Sequence, residues 1–190
     1  LQHVGAPARP VVLVGQKVKK GELIAAAHGN ISAPLHASTS GTISAIDEIT
    51  APHSSGLPGM AISIDADGQE AWIETDIPTD PYALSPDDIA RRVASAGVVG
   101  LGGATFPSSV KLNLGRRSGI DTLIINGSEC EPYLSCDDRL MRDRAAEIVS
   151  GIRLMLISTG AKVARAGIEG NKPEAIAAMQ EAAAGFAEIV

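Results

Sequence analysis

Thr122-Leu123-Ile124-Ile125-Asn126 decides the fold: a short, continuous apolar run that stops on a side-chain amide. Runs of this kind, without polar alternation, are typical of strands covered on both faces in a parallel sheet. The residues downstream agree. Met141, Ala145, Ile148, Ile152, Met155 and Thr159 recur at alternating steps of four and three, the period of one long amphipathic helix, and Gly160 offers a left-handed stop. Lys162 to Ile168 reads as a second strand, and Pro173 to Ala187 as a helix introduced by Asn171 and Pro173. Strand, helix, strand, helix in that order predicts an α/β layer with a parallel sheet. The chain stops at Val190, where a further strand is expected, so the layer reads as unfinished. Leu1 in place of a starting Met points the same way, to a piece of a longer protein.

Upstream, Ser85 is placed to cap a helix, with Pro86 at its first position and Asp87 and Asp88 at its positive end. Ile89, Val93 and Ala96 share a face, and Gly97 ends it. Ile77 to Pro86 holds three prolines and no period, which reads as a linker. Before it, from Pro10 to about Thr75, the pattern has period two: Val12-Leu13-Val14, Leu23-Ile24, Thr42 to Ile46 and Ala61 to Ile64 read as short strands between glycine turns. The expected fold class is therefore α+β in two domains. A small all-β barrel or sandwich fills residues 1–76, a linker 77–86, and an incomplete α/β domain 87–190.

The 190 residues carry 22 acidic and 16 basic side chains, a net charge of −6. That balance argues against nucleic acid, which needs basic stripes against phosphate. Five aromatic residues leave little for stacking single-stranded bases. No stretch approaches the roughly 20 apolar residues that span a bilayer, and no basic-then-apolar leader opens the chain. A reducing, cytoplasmic setting is the expectation, with Cys130 and Cys136 as ordinary thiols. His3, His28, His36 and His53 are scattered without ligand spacing, and no metal site is expected. Lys17, Lys19 and Lys20 read as a solvated turn. Arg116 and Arg117 read as a basic surface turn, with a pyrophosphate contact as the alternative.

In the β module, Val14-Gly15-Gln16-Lys17-Val18-Lys19-Lys20-Gly21 followed by Ala33-Pro34 and Gly41-Thr42-Ile43 resembles the barrel-sandwich hybrid of biotinyl and lipoyl carrier domains. Carriers present a modified lysine between those phrases. Here that position reads Ala25-Ala26-Ala27-His28-Gly29-Asn30, so a docking or structural module is expected instead of a swinging cofactor.

Two segments carry the chemistry. Gly100-Leu101-Gly102-Gly103-Ala104-Thr105-Phe106-Pro107-Ser108-Ser109-Val110-Lys111 combines glycines, whose backbone amides can approach a phosphate or ring edge, with a downstream cation. It is neither a P-loop nor a dinucleotide fingerprint, because Lys111 lacks the flanking Gly and Ser/Thr and no strand leads into Gly100. Asn126-Gly127-Ser128-Glu129-Cys130-Glu131-Pro132-Tyr133 leaves the apolar strand where open α/β sheets bind ligands. Glu129 and Glu131 are read as facing one side of an extended turn. No nucleophile stands beside them, so hydrolase chemistry is not expected.

These two segments, with Asp137-Asp138-Arg139-Leu140-Met141 and Gly167-Ile168-Glu169-Gly170-Asn171-Lys172-Pro173, resemble the RnfC family over nearly the whole chain. Its members are peripheral NADH-binding subunits of Rnf ion-translocating electron transport complexes. The loop and carboxylate turn are more distantly similar to the flavin subunit of respiratory complex I. The resemblance implies a barrel-sandwich hybrid followed by a truncated FMN- and NADH-binding α/β domain. It implies that Gly102 and Gly103 lie against the flavin or its phosphate, Lys111 bonds the flavin and Asn126 its ribityl-phosphate side. Phe106 would pack on adenine, Glu131 would contact nicotinamide, Glu129 would sit near the flavin ring, and Glu169 would contact the flavin or the dinucleotide. No side chain is assigned a catalytic role. The implied chemistry is hydride transfer from NADH to FMN, then electron exit through 4Fe-4S clusters whose cysteine runs this chain does not include.

The implied partners are the other subunits of the complex, at the cytoplasmic face of the cell membrane and without a span of its own. Thr105 departs from the family pattern, which has Gly there; a β-branched residue resists positive φ. Ser128 replaces an acidic residue of the complex I version. Two alternatives stay open: a non-catalytic docking and assembly module, and the related A-type subunit of sodium-translocating NADH:quinone reductase.

Overall fold

The computed structural model describes residues 5–51, 55–101 and 104–190. Contacts divide the chain into two compact units: Leu1–Ile77 with Arg92–Val110, and Pro78–Arg91 with Lys111–Val190.

The first unit is built on six short strands: β1 (Arg9–Pro10), β2 (Lys17–Val18), β3 (Leu23–Ala26), β4 (Leu35–His36), β5 (Gly41–Thr50) and β6 (Pro58–Ala66). They form two antiparallel sheets, ordered β1-β3-β4 and β2-β5-β6. Val18 and Ile43 from one sheet and Ile24 from the other share a core with Val12 and Ala37. Val12-Leu13-Val14, expected as a strand, is a turn. The Leu13 C=O accepts from the Gln16 N–H at 3.0 Å, and Gly15 follows at φ 87°. The backbone leaves the strand region there so that the Gly15 N–H can reach the Ile43 C=O at 2.7 Å.

The three lysines are not uniformly solvated. Lys20 pairs with Glu70 and lies 5.1 Å from the Trp72 ring centroid, while its backbone bridges Ala71 and Ile73.

Helix α1 (Pro86–Ser95) starts as its sequence indicates: the Ser85 Oγ accepts the Asp88 N–H at 3.1 Å. It ends at Gly97, φ 68°, with the Val98 N–H on the Val93 C=O. The stretch expected as linker contains a 3-10 turn, Pro81–Ala83. Its Tyr82 ring stacks on the Arg153 guanidinium at 3.9 Å, whose other face meets Phe186 at 4.4 Å.

A second helix, α2 (Ser108–Ser118), occupies residues read from the sequence as loop. Only Leu112 of it is buried, so it has no apolar stripe to announce it. Arg116 and Arg117 are its last turn, where cations suit the helix dipole, and Arg116 pairs with Asp87.

The second unit holds β7 (Thr122–Gly127), α3 (Cys136–Thr159), β8 (Val163–Ile168) and α4 (Pro173–Ala183). β7 and β8 are parallel, paired from Thr122↔Val163 to Gly127↔Ile168, as the order of elements predicts. Glu188 and Val190 continue the sheet beside β8: their carbonyls accept from the Ala164 and Ala166 N–H groups at 2.8 Å. Leu123, Ile125, Ala164 and Ile168 join α3 and α4 in one core with Val149, Ile152, Leu156, Ala175 and Met179. The other face of β7 is open, with Ile124 66% exposed, so the run is covered on one side only among the described residues.

α3 is kinked at Arg144, φ −134° and ψ 30°. Beyond the kink the buried stripe passes through Val149, Ile152, Leu156 and Thr159, and Met155 is only half-buried. Gly160 closes the helix at φ 76°, its N–H on the Leu156 C=O at 2.8 Å. No helix among the described residues is long and apolar enough to cross a membrane.

Candidate functional site

The parallel register brings Asn126 beside Gly167 and Gly127 beside Ile168 at the carboxyl ends of β7 and β8. Each strand then passes through a short turn into the N-terminus of a helix, α3 or α4. This is where α/β sheets hold ligands. Asn126 and Gly167 are register partners on the exposed face. Among the described residues, no atom beyond its chain neighbours lies within 4 Å of where a Cβ on Gly167 would stand. The two strand ends thus present a polar amide next to bare backbone and open space, which fits a flat ring or a ribityl chain. The Asn126 Oδ1 accepts the Ser128 N–H at 3.1 Å, which shapes the start of the turn and leaves the side-chain NH2 as donor.

The two carboxylates of the turn do not face one side. The Glu129 side chain is 3% exposed and Glu131 is exposed. The cause is the N-terminus of α3. Its Ser135 cap residue makes no side-chain cap bond, and Glu129 reaches in from upstream instead. Glu129 Oε1 accepts the Asp137 N–H at 2.9 Å and the Cys136 thiol at 3.1 Å; Oε2 accepts the Asp138 N–H at 3.2 Å. The Lys172 ammonium, from the residue before α4, stands 3.7 Å from Oε2. The amide of Asp137, with the thiol and the second amide, holds the Glu129 carboxyl down at about 2. The same carboxylate pushes the Cys136 thiol up.

Glu129, Cys136 and Asp137 offer atoms within 4.8 Å of one another, but both Glu129 oxygens are already engaged by α3. Cys130 and Cys136 are free thiols. His28 is exposed and His36 half-buried on the β unit, while His3 and His53 lie outside the described residues.

The remaining expected residues are distributed as follows. Glu169 is half-buried at the end of β8, and its carbonyl accepts the Lys172 N–H at 3.0 Å. Lys111 is exposed on α2, in the second unit. Phe106 belongs to the first unit, half-buried just before α2, and its carbonyl accepts the Gly100 N–H at 2.9 Å. Gly102 and Gly103 lie outside the described residues.

Lys172 and Tyr133 carry features that no sequence signal assigns to them. Lys172 stands within the phrase from Gly167 to Pro173, yet nothing in spacing ties it to Glu129 across the two strands.

Thr105 takes the conformation that a β-branched residue resists, φ 51°. Left-handed backbone costs an L-residue roughly 1–2 kcal/mol, partly offset by the extra chain entropy of glycine. Thr105→Gly is therefore expected to stabilise the first unit by about 0.5–1 kcal/mol. Urea unfolding followed by fluorescence of Trp72, the single tryptophan, measures it; a lower midpoint would show that the threonine side chain makes up for its strain.

Two family models match the chain. The RnfC barrel sandwich hybrid domain covers residues 1–69 and the Nuo51 FMN-binding domain residues 93–189. Curated relatives, named as the RnfC-type subunit of an ion-translocating oxidoreductase complex, match almost all of it. The Rhodobacter capsulatus protein is 53% identical over 94% of this chain and 34% of its own length. For Pseudomonas aeruginosa the figures are 50%, 94% and 23%. For Haemophilus influenzae they are 42%, 99% and 28%. The chain spans about a third or less of the length of these relatives.

Proposed function

We propose a function from one premise: this chain belongs to the RnfC family of ion-translocating oxidoreductase complex subunits. On our reading it is the electron-input part of such a subunit, taking electrons from NADH through FMN. They pass on through 4Fe-4S clusters, outside the span of this chain, toward ferredoxin or membrane subunits, and the flow is reversible. The subunit sits peripherally at the cytoplasmic face of the membrane, held by its partner subunits.

The observation that supports this most is the in-register pair Asn126–Gly167, at the open ends of β7 and β8, inside the region matched by the FMN-binding domain. FMN supplies, when bound, the coupling of hydride acceptance to one-electron release, while the protein supplies position and electrostatics. Asn126 would bind the ribityl-phosphate side through its NH2. Lys111 would place a cation near the flavin, and the backbone of Gly102 and Gly103 would lie against its phosphate or ring. Glu131 would orient the nicotinamide, and Phe106 would pack on adenine. Glu169 would accept from hydroxyls. Glu129 would sit near the flavin ring, and its carboxylate holds the turn to α3.

Titration of the intact subunit with FMN, followed by flavin fluorescence, tests the reading. Saturable quenching is expected, weakened about threefold to tenfold by Asn126→Ala, which removes one charge-neutral bond. Added NADH is expected to bleach the bound flavin. A wild-type subunit that binds no FMN, or whose bound flavin NADH leaves oxidised, overturns it.

A further inference from the structure

The carboxylate turn ends on a residue that is anomalous twice. Tyr133 is fully exposed, at 104% of its reference surface, and its backbone is left-handed at φ 68°. Large aromatic residues lower free energy by burying their rings, and bulky residues at positive φ are genuine outliers. Each feature alone is unfavourable to the folded state. A glycine at 133 would remove both, yet the turn holds an aromatic ring out into solvent.

Its surroundings do not explain it as packing. The hydrogen bonds of the turn are made by others: Asn126 to Ser128, Glu129 to α3, and the Leu134 N–H on the Glu131 carbonyl at 3.3 Å. Pro132 fixes the approach to Tyr133 by locking its own φ. The ring is thus carried on the turn that leads from the carboxyl end of β7 into α3, two residues after the exposed Glu131. Strain of this kind persists where surrounding structure over-determines it, and it clusters at ligand clamps.

We propose that Tyr133 is a stacking platform: its ring covers a flat, electron-poor ring of the nucleotide bound at the ends of β7 and β8. This rests on the flavin and dinucleotide reading above and names a further binding residue for it. Two rings share that chemistry, the isoalloxazine of FMN and the oxidised nicotinamide of the dinucleotide, and stacking of either is comparable in strength to base–aromatic stacking. The exposed face of the Tyr133 ring is the surface that the ligand would cover.

The test compares wild type, Tyr133→Phe and Tyr133→Gly in the intact subunit, with FMN affinity and NADH dependence measured separately. Tyr133→Gly is expected to raise the thermal midpoint of the ligand-free protein, since it relieves the left-handed backbone, while lowering affinity about tenfold or more. Tyr133→Phe keeps the ring and is expected to retain affinity within about threefold. Loss confined to FMN assigns the stacked ring to the flavin. Loss confined to the NADH KM, with kcat for bound flavin unchanged, assigns it to the dinucleotide. Unaltered FMN affinity and NADH KM in Tyr133→Gly overturn the proposal, whatever the midpoint does. A wild-type subunit without FMN binding overturns the functional reading itself, and this proposal falls with it.

Discussion

Glu129→Gln lowers the melting temperature of the α/β unit by about 5 °C or more at neutral pH and removes part of its sensitivity to acid. The four leading amides of a helix have no intrahelical acceptor, and α3 is 24 residues long with no cap from Ser135. Glu129 supplies both the acceptors and a negative charge at the positive end of the dipole. The glutamine keeps the shape but carries no charge, and its NH2 can be turned only toward donors. Far-ultraviolet circular dichroism reads this unit, because α3 and α4 lie in it.

The direction with pH follows from the depressed carboxyl. Unfolded, Glu129 titrates near its ordinary 4.5; folded, near about 2. Its stabilisation is complete above the unfolded value and is lost as pH falls through the folded one. Wild type is expected to lose stability across that window, and Glu129→Gln to run flatter there. A second readout is chemical. In a Cys130→Ser background, the Cys136 thiol no longer faces a carboxylate when Glu129 is changed, so its pKa falls and alkylation at mildly alkaline pH speeds up. Equal alkylation rates and parallel acid curves would show that Glu129 is not the group holding this turn.

The sequence carried more of the fold than of the site, for a physical reason. Strand order and direction were readable because β7, α3, β8 and α4 each bury one apolar face, and period and caps report that directly. The Ser85 cap and the Gly97 and Gly160 stops are local chemistry written within a few residues. α2 was hidden because it buries only Leu112. The kink at Arg144 was hidden because the steps of four and three run straight through it, although the buried side shifts from Met155 to Leu156.

In the site, the residue types were readable and their orientation was not. Glu129 and Glu131 are chemically alike and two apart, which in an extended chain puts them on one side. A helix N-terminus that begins seven residues after Glu129 takes one of them and leaves the other in solvent. Lys172 shows the same limit from the other direction. It reaches Glu129 only because β7 and β8 are adjacent and in register, which no spacing along the chain encodes.

Gly41→Ala is expected to destabilise the β unit by roughly 3 kcal/mol or more, the upper range for forced overpacking. Ser40-Gly41 looks like a turn, which would need glycine for its dihedral freedom. Gly41 instead opens β5, between β2 and β6, paired with Val18 on one side and Ala66 on the other. What it needs is space: a Cβ there would stand 2.1 Å from the Asp65 carbonyl oxygen and 3.0 Å from the Ala66 Cα. Those are backbone atoms, and they cannot swing away. Ser40, buried beside it, fastens the same crossing by its Oγ to Asp67 at 2.7 Å and by its carbonyl to the Asp67 N–H at 3.1 Å. Gly15→Ala separates the two explanations. Gly15 is left-handed at φ 87° and none of the described residues beyond its chain neighbours comes within 4 Å of its Cβ position, so Gly15→Ala costs only dihedral strain, roughly 1–2 kcal/mol. Urea midpoints followed through Trp72, which lies in this unit, give both values. A Gly41→Ala cost no larger than that of Gly15→Ala would show that the β5–β6 crossing can open by itself, and that glycine there is not required by packing.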